Sequence, residues 1–375
     1  MAKIDTILVV GGGMAGLTAA AALHQHGFTV ELVERRETWQ AVGAGFLVHA
    51  NGMRMLAALG LASGVETTGA VVRRWQFCDE QGEVLSDTDL EALWGHDGPC
   101  VGIERTKLQG ALLPGVAQVR CRLGTEVTSL VQDEARVSIG FSDGSSGDFD
   151  LVVGADGIRS TVRALALTST APSYLGAMNW RSVAPIRPVG LTAFQLNLGN
   201  GCVFGLVPLS SGRTYAFAYV ADPLCRDPVE GRLERLRQRF SSFGPRVAAY
   251  LAALERDDEV ICSAMEWMGL GNVHAGRVVL VGDAAHASSP MMGQGGCMAM
   301  EDACVLAEEL CVAATVEAAL ASYVRRRKPR VEWVQRQSMG LADLLTASSA
   351  PRNATLREKG TQLMQDRFGP LVPPP

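Results

Sequence analysis

The stretch Ile7–Glu34 constrains this chain more than any other. Ile7–Val10 is an apolar, largely β-branched run that reads as a buried strand. Gly11-x-Gly13-x-x-Gly16 follows at once, Leu17–Gly27 reads as an alanine-rich helix closed by glycine, and Phe28–Glu34 reads as a second strand. This βαβ order puts the glycines where a dinucleotide needs them. Gly11 permits a tight turn, Gly13 lets backbone approach a pyrophosphate, and Gly16 lets helix and strand pack closely. Met14 and Ala15 open the helix, whose N-terminal N–H groups carry partial positive charge toward a phosphate. Glu34 ends the second strand, where a carboxylate can accept hydrogen bonds from adenosine ribose hydroxyls. A glycine turn that merely packs well is the alternative, but it does not explain the terminal acid. The fingerprint alone does not choose between NAD and FAD.

The chain has 375 residues, enough for one large or two intergrown domains. Hydrophobic residues make up 47% and charged residues 19%, the balance of a soluble globular protein. A net charge of −5 argues against nucleic acid or an anionic membrane as partner, since little here would neutralise phosphates broadly. The nine cysteines form no CxxC pair, which disfavours a zinc site or disulfide framework and suits a reducing interior. The opening residues make a poor signal peptide and no stretch is long and apolar enough for a transmembrane segment, so the expected location is cytoplasmic.

Two later segments narrow the cofactor. Leu151–Val153 is an apolar strand before Gly154-Ala155-Asp156-Gly157, a turn suited to packing against a cofactor, and Arg159 and Arg163 open the helix that follows. The alternative is an ordinary strand–turn–helix with a solvated basic helix. Val278–Val281 is another apolar strand, running into Gly282-Asp283. An acid at that strand end is well placed to hold a polyhydroxyl chain such as ribitol. The glycines Gly293, Gly295 and Gly296 then bare backbone N–H groups before an apolar-periodic helix, an arrangement that stabilises negative charge on a flat ring.

These three segments, in this order, resemble the single-component FAD-dependent aromatic hydroxylases typified by p-hydroxybenzoate hydroxylase. Arg105 and Gln109 in "IERTKLQGAL" and Tyr323, Arg327 and Arg330 in "YVRRRKPRV" agree with that family. The resemblance implies an α/β fold: a Rossmann-like FAD/NAD(P)-binding domain, a β-sheet substrate domain and C-terminal helices. The FAD domain would comprise 1–72, 98–170 and 270–330, the substrate domain 73–97 with 171–269, and a helical segment 331–375 broken at "ASSAPRNA". It further implies that Glu34 and Arg35 meet the adenosine, Arg105 and Asp283 the phosphate and ribityl region, and Val127 and Asp156 the cofactor's surroundings. Pro290 and Gly293–Gly296 would face the isoalloxazine ring. Many members carry Asn two residues after the Gly-Gln-Gly turn, whereas this chain has Cys297, so backbone amides would replace a side-chain amide. The "GGCMAMEDA" run is closer to the branch of 6-hydroxynicotinate and salicylate hydroxylases.

On the substrate side, Tyr215, Phe217 and Tyr219 alternate onto one face of a strand and Thr214, Ala216 and Ala218 onto the other. The aromatic row would clamp a planar substrate or form a packed core face. Met291 and Met292, beside Pro290, offer soft apolar lining. Arg181 would meet an acidic or phenolic substrate oxygen or form a surface ion pair. His49 reads as a base or as a structural histidine, and His286 as a supporting residue behind Asp283. Cys297, Cys304 and Cys311 recur every seven residues, which suits a core-packing stripe.

The activity implied is reduction of FAD by NADH or NADPH, addition of O2, and hydroxylation of a small planar aromatic or heteroaromatic substrate by a flavin hydroperoxide. Tyr215, His49 and Arg181 are the catalytic candidates, and a monomer or homodimer is expected. A reductase or dehydrogenase on the same fold, a halogenase or a non-catalytic FAD-binding protein are the alternatives. The Trp-x-Trp-x-Ile-Pro signature of many halogenases is absent.

Overall fold

The computed structural model describes residues 4–39, 43–95, 98–222, 227–269 and 271–375. Its first layer is a six-stranded sheet in the order His274–Ala275, Val278–Leu280, Leu151–Gly154, Thr6–Val10, Thr29–Glu34, Arg120–Leu123. All neighbours are parallel except the first pair. Both faces are covered, which is why these strands read as unbroken apolar runs rather than alternating ones. Ile7, Val9, Leu32, Val153 and Val279 pack against the helices Met14–Gln25 and Gly295–Val312. Leu8, Val10, Val33, Val152 and Val278 pack instead on a three-stranded antiparallel sheet formed by Val127–Gln132, Val137–Phe141 and Ser146–Phe149.

A second, seven-stranded sheet runs in the order Ile261–Trp267, Ser173–Ala184, Thr214–Ala221, Cys202–Pro208, Phe194–Leu198, Arg74–Asp79, Val84–Asp89. Its period-2 alternation separates two cores. Trp180, Phe204, Ala216 and Ala218 are covered by the helices Arg232–Arg239 and Pro245–Ala252. Trp75, Phe194, Tyr215 and Tyr219 face the other way, toward the first layer and the C-terminal helices.

Those helices are Val316–Thr346 and Ser349–Phe368. The interruption is narrower than "ASSAPRNA" suggests, because Pro351 falls in the first turn of the second helix, where its missing N–H has no partner to lose. Arg352 then locks that helix onto the sheet: its buried guanidinium donates to the carbonyls of Leu198 (3.0 Å), Gly199 (2.6 Å) and Leu345 (3.0 Å). Cys297 and Cys304 are buried in the Gly295–Val312 helix, but Cys311 emerges at the surface. No helix among the described residues is long and apolar enough to cross a membrane.

Candidate active site

Two cavities meet at the N-terminus of the Met14–Gln25 helix. Gly13 lines the outer one, of 260 Å³, and Met14 the inner one, of 430 Å³. The turn before the helix is set by Gly11, whose φ of +106° is a region that L side chains rarely adopt and whose missing Cβ leaves room for the Ala155 carbonyl. The helix has neither a side-chain N-cap nor an acidic residue in its first turn, so its leading N–H groups are left for an anion. Gly16 packs against the Gly11 carbonyl and Ala15 against Gly282, so these two support the turn from behind.

The outer cavity is lined by Gly11, Glu34, Arg35, Val127 and Asp156. The Glu34 carboxylate accepts from the Gly12 N–H at 2.6 Å and the Arg36 N–H at 3.0 Å, which holds it beside the glycine turn. Burial raises the Asp156 carboxyl above the usual range, against hydrogen bonds from Ser160 and Val162 that favour its charge. Asp156 thus faces the start of its own helix, Thr161–Ala166, with Ser160 as N-cap. Arg163 is not solvated: it is buried and donates to the carbonyls of Ala284 at 2.8 Å and Ile158 at 2.7 Å, joining this helix to the Gly282-Asp283 turn.

One wall of the inner cavity is backbone-rich. Asp283, Pro290, Gly293, Gly295 and Gly296 line it, with Arg105 and Met14 beside them. Gly282 has φ +59°, and its neighbours are the Cβ atoms of Ala15 and Ala299, so only glycine turns the chain here and points Asp283 into the cavity. Burial and the nearby Arg181 charge hold the Arg105 guanidinium below its usual range, while Asp283 and Tyr215 pull the other way.

The opposite wall is side chain from the seven-stranded sheet: Trp75, Asn179, Arg181, Phe194, Tyr215, Phe217, Ser263 and Met265. Trp75 and Phe194 are register partners on parallel strands, with ring centroids 4.4 Å apart. Tyr215 lies against the backbone of Gly45, and burial raises its phenol above the usual range. Arg181 donates to Ser263 Oγ at 3.0 Å and forms no ion pair among the described residues, so its charge is directed at the cavity. Arg159 lines both cavities and pairs with Glu266 at 3.0 Å across the gap between the two sheets.

His49 also lines the inner cavity, yet it is 1% exposed. Its ring stacks on Phe368 at 5.4 Å and sits 5.9 Å from both Trp75 and Trp94, and burial pushes it down to about 3. A neutral imidazole with so little basicity is a poor proton acceptor at neutral pH. Met291 lines the cavity, whereas Met292, Cys297 and Tyr219 are buried away from it. Tyr219 shares the face of Tyr215 but joins the core beneath the C-terminal helices.

Trp75, Asn179, Phe194, Ser263 and Met265 belong to the cavity although no motif in the sequence marks them. Asn179 alone carries a signal in the sequence, since it stands two residues before Arg181 on the same strand face, and Ser263 is its register partner. Nothing local in sequence says which strand face meets a cofactor.

The two cavities, joined at an uncapped helix N-terminus, fit a long ligand that is anionic at its middle and flat at its inner end. The FAD-binding domain family matches residues 4–338 of this chain. The chain belongs to that family. It is 34% identical over 334 residues to the aurachin C monooxygenase/isomerase of Stigmatella aurantiaca, covering 87% of this chain and 85% of the relative. The FAD-dependent urate hydroxylase of Klebsiella pneumoniae is likewise 34% identical over 334 residues, covering 86% of each. Among solved structures, the Klebsiella pneumoniae HpxO complex with FAD and uric acid superposes with a TM-score of 0.87 at 28% identity, covering 98% of this chain and 95% of that one. This family member is therefore an FAD-dependent monooxygenase with an α/β flavoprotein fold.

Proposed function

We propose that this flavoprotein hydroxylates a small planar aromatic or heteroaromatic compound in the cytoplasm, drawing electrons from NADH or NADPH and one oxygen atom from O2. The observation that carries this is the inner cavity itself: a backbone-rich wall bearing Asp283 stands opposite an aromatic wall bearing Arg181. FAD, when bound, supplies the redox and oxygen-transfer chemistry, and the protein supplies orientation and a dry, charged surrounding.

Glu34 and Arg35 hold the adenosine end, and the helix N-terminus at Gly13, Met14 and Ala15 takes the diphosphate. Asp283 and Arg105 hold the ribityl chain, while Pro290 and the Gly293–Gly296 backbone carry the ring. Cys297 is fully buried behind that backbone and does not line the cavity, so it contributes packing rather than a contact to the ring. On the far wall, Trp75, Phe194 and Phe217 sandwich the substrate, with Met291 at its edge. Arg181 directs an acidic or carbonyl oxygen, and Tyr215 supports the ring from the Gly45 side. The charges of Arg105 and Arg181 exceed that of Asp283, which favours an anionic substrate oxygen over a neutral hydroxyl. We assign His49 a packing role in its aromatic box rather than proton transfer.

The test is a screen of phenols and N-heteroaromatics with the yellow protein, following NAD(P)H oxidation, O2 uptake and product mass. One compound should gain a single oxygen, derived from labelled O2. Repeated substrate-dependent turnover under strict anaerobiosis would rule the proposal out in favour of a dehydrogenase.

A further inference from the structure

Behind the backbone-rich wall lies a cluster of charges that no ligand-facing role accounts for. Glu301 and Asp302 are adjacent on the Gly295–Val312 helix and are both fully buried. Arg327 and Arg330 reach them from the Val316–Thr346 helix: Arg327 Nε donates to Asp302 at 2.7 Å and its Nη1 to Glu301 at 2.5 Å. Arg330 forks onto Glu301 at 2.7 and 2.9 Å. Two anions and two cations thus balance. The pairs compensate one another's desolvation, as buried charges must.

What sets this cluster apart is its grip on the cavity wall. Asp302 Oδ2 accepts the backbone N–H of Gly282 at 2.9 Å, so it holds the turn that aims Asp283. The same oxygen lies 2.5 Å from His286 Nε2. Asn51 bridges the rest, donating to Glu301 Oε1 and to Gln294 Oε1, each at 2.9 Å, and so ties the second glycine turn to the same cluster. His286 is the one member whose charge can change near neutral pH. It does not line the flavin cavity. His286 lines a separate small cavity of 50 Å³, together with the half-exposed Lys328 and Glu332.

We infer that His286 is a positioning residue for FAD: by donating from Nε2 to Asp302 it fixes the Gly282 turn that aims Asp283. An ionised Asp302 can only accept, so Nε2 carries the hydrogen in either charge state of the ring. Without that donor, Asp302 keeps Arg327 and the Gly282 N–H but loses the contact that faces the turn's own helix. Asp283 would then sample orientations that miss the ribityl chain. The inference concerns FAD binding and is independent of the substrate assigned above.

The experiment compares His286→Ala, His286→Leu and His286→Gln, because the Gln amide nitrogen reaches about as far as imidazole Nε2 and Leu fills space with no donor. FAD affinity is read by flavin fluorescence on apo protein, alongside the bound flavin's absorption spectrum and the melting temperature of the apo form. The Ala and Leu variants should bind FAD at least tenfold more weakly, with a shifted flavin band, and Gln should return to within threefold of the original. If the Ala variant does not fold, Leu against Gln gives the same comparison. The inference fails if Leu binds FAD as tightly as Gln, or if all variants bind within twofold of the unaltered protein.

Discussion

The two walls of the inner cavity are built on opposite principles. The Gly282–Gly296 wall offers backbone, one carboxylate and little else, and it is braced from behind by buried ions. The sheet wall offers rings and a guanidinium from four different strands, braced by apolar packing against the C-terminal helices. A backbone surface recognises what does not vary, a phosphate, a ribityl chain or a flat ring. A side-chain surface can be changed residue by residue without disturbing the fold. On the proposed reading, the first wall binds the cofactor and the second chooses the substrate.

The sharpest way to break this contrast is to attack the brace. Asp302→Ala leaves Arg327 buried against Glu301 alone and His286 without its acceptor, a loss on the order of 3–5 kcal/mol. Little folded protein should be recovered, and what is recovered should melt well below the original and be colourless. A yellow, normally stable Asp302→Ala protein would show that the ions do not hold the wall. Next in size, Asp283→Ala should leave the apo protein's melting temperature within about a degree or two but weaken FAD by about 1.5–3 kcal/mol, the range for hydrogen bonds to a charged group. Flavin content after gel filtration measures it, and full retention would remove Asp283 from the cofactor site.

On the other wall, Arg181→Ala should keep its FAD and raise substrate KM by about 5–30-fold, equivalent to roughly 1–2 kcal/mol. Loss of flavin instead would merge the two walls' roles. The smallest effect is the pH profile of the melting temperature. Burial opposes charge on His286, but Asp302 outweighs it and holds the ring above its ordinary 6.5; Asp302, against its own burial, is held below its ordinary 3.8. The His286 contribution is complete below 6.5 and is lost as pH rises through the raised value; the Asp302 contribution is present above 3.8 and is lost only as pH falls through the lowered one. Stability should therefore peak between those limits, and His286→Gln should flatten the alkaline side by a few degrees. An unchanged alkaline slope in that variant would assign the titration elsewhere.

The walls also differ in how far they can be read from the chain. Gly11, Glu34 and Asp283 announce themselves because each stands at a strand end in a short motif. Arg163 misleads, since a basic residue on a short helix reads as solvated, whereas the neighbouring carbonyls of Ile158 and Ala284 draw it inward. The aromatic wall is only half legible: the alternation of Tyr215 and Phe217 is visible, but not that Trp75 and Phe194 join them from strands 119 positions apart, nor that Tyr219 leaves the cavity.

By itself the sequence determined that a dinucleotide lies along an α/β sheet, because backbone recognition demands glycines at set distances from a strand, and such spacing is local. Only the tertiary structure decided which side chains share the cavity. It also decided that Glu301 and Asp302 answer Arg327, Arg330 and His286. Those pairings depend on how two long helices cross and on the cost of leaving a buried charge alone, and neither is written in any short stretch of chain.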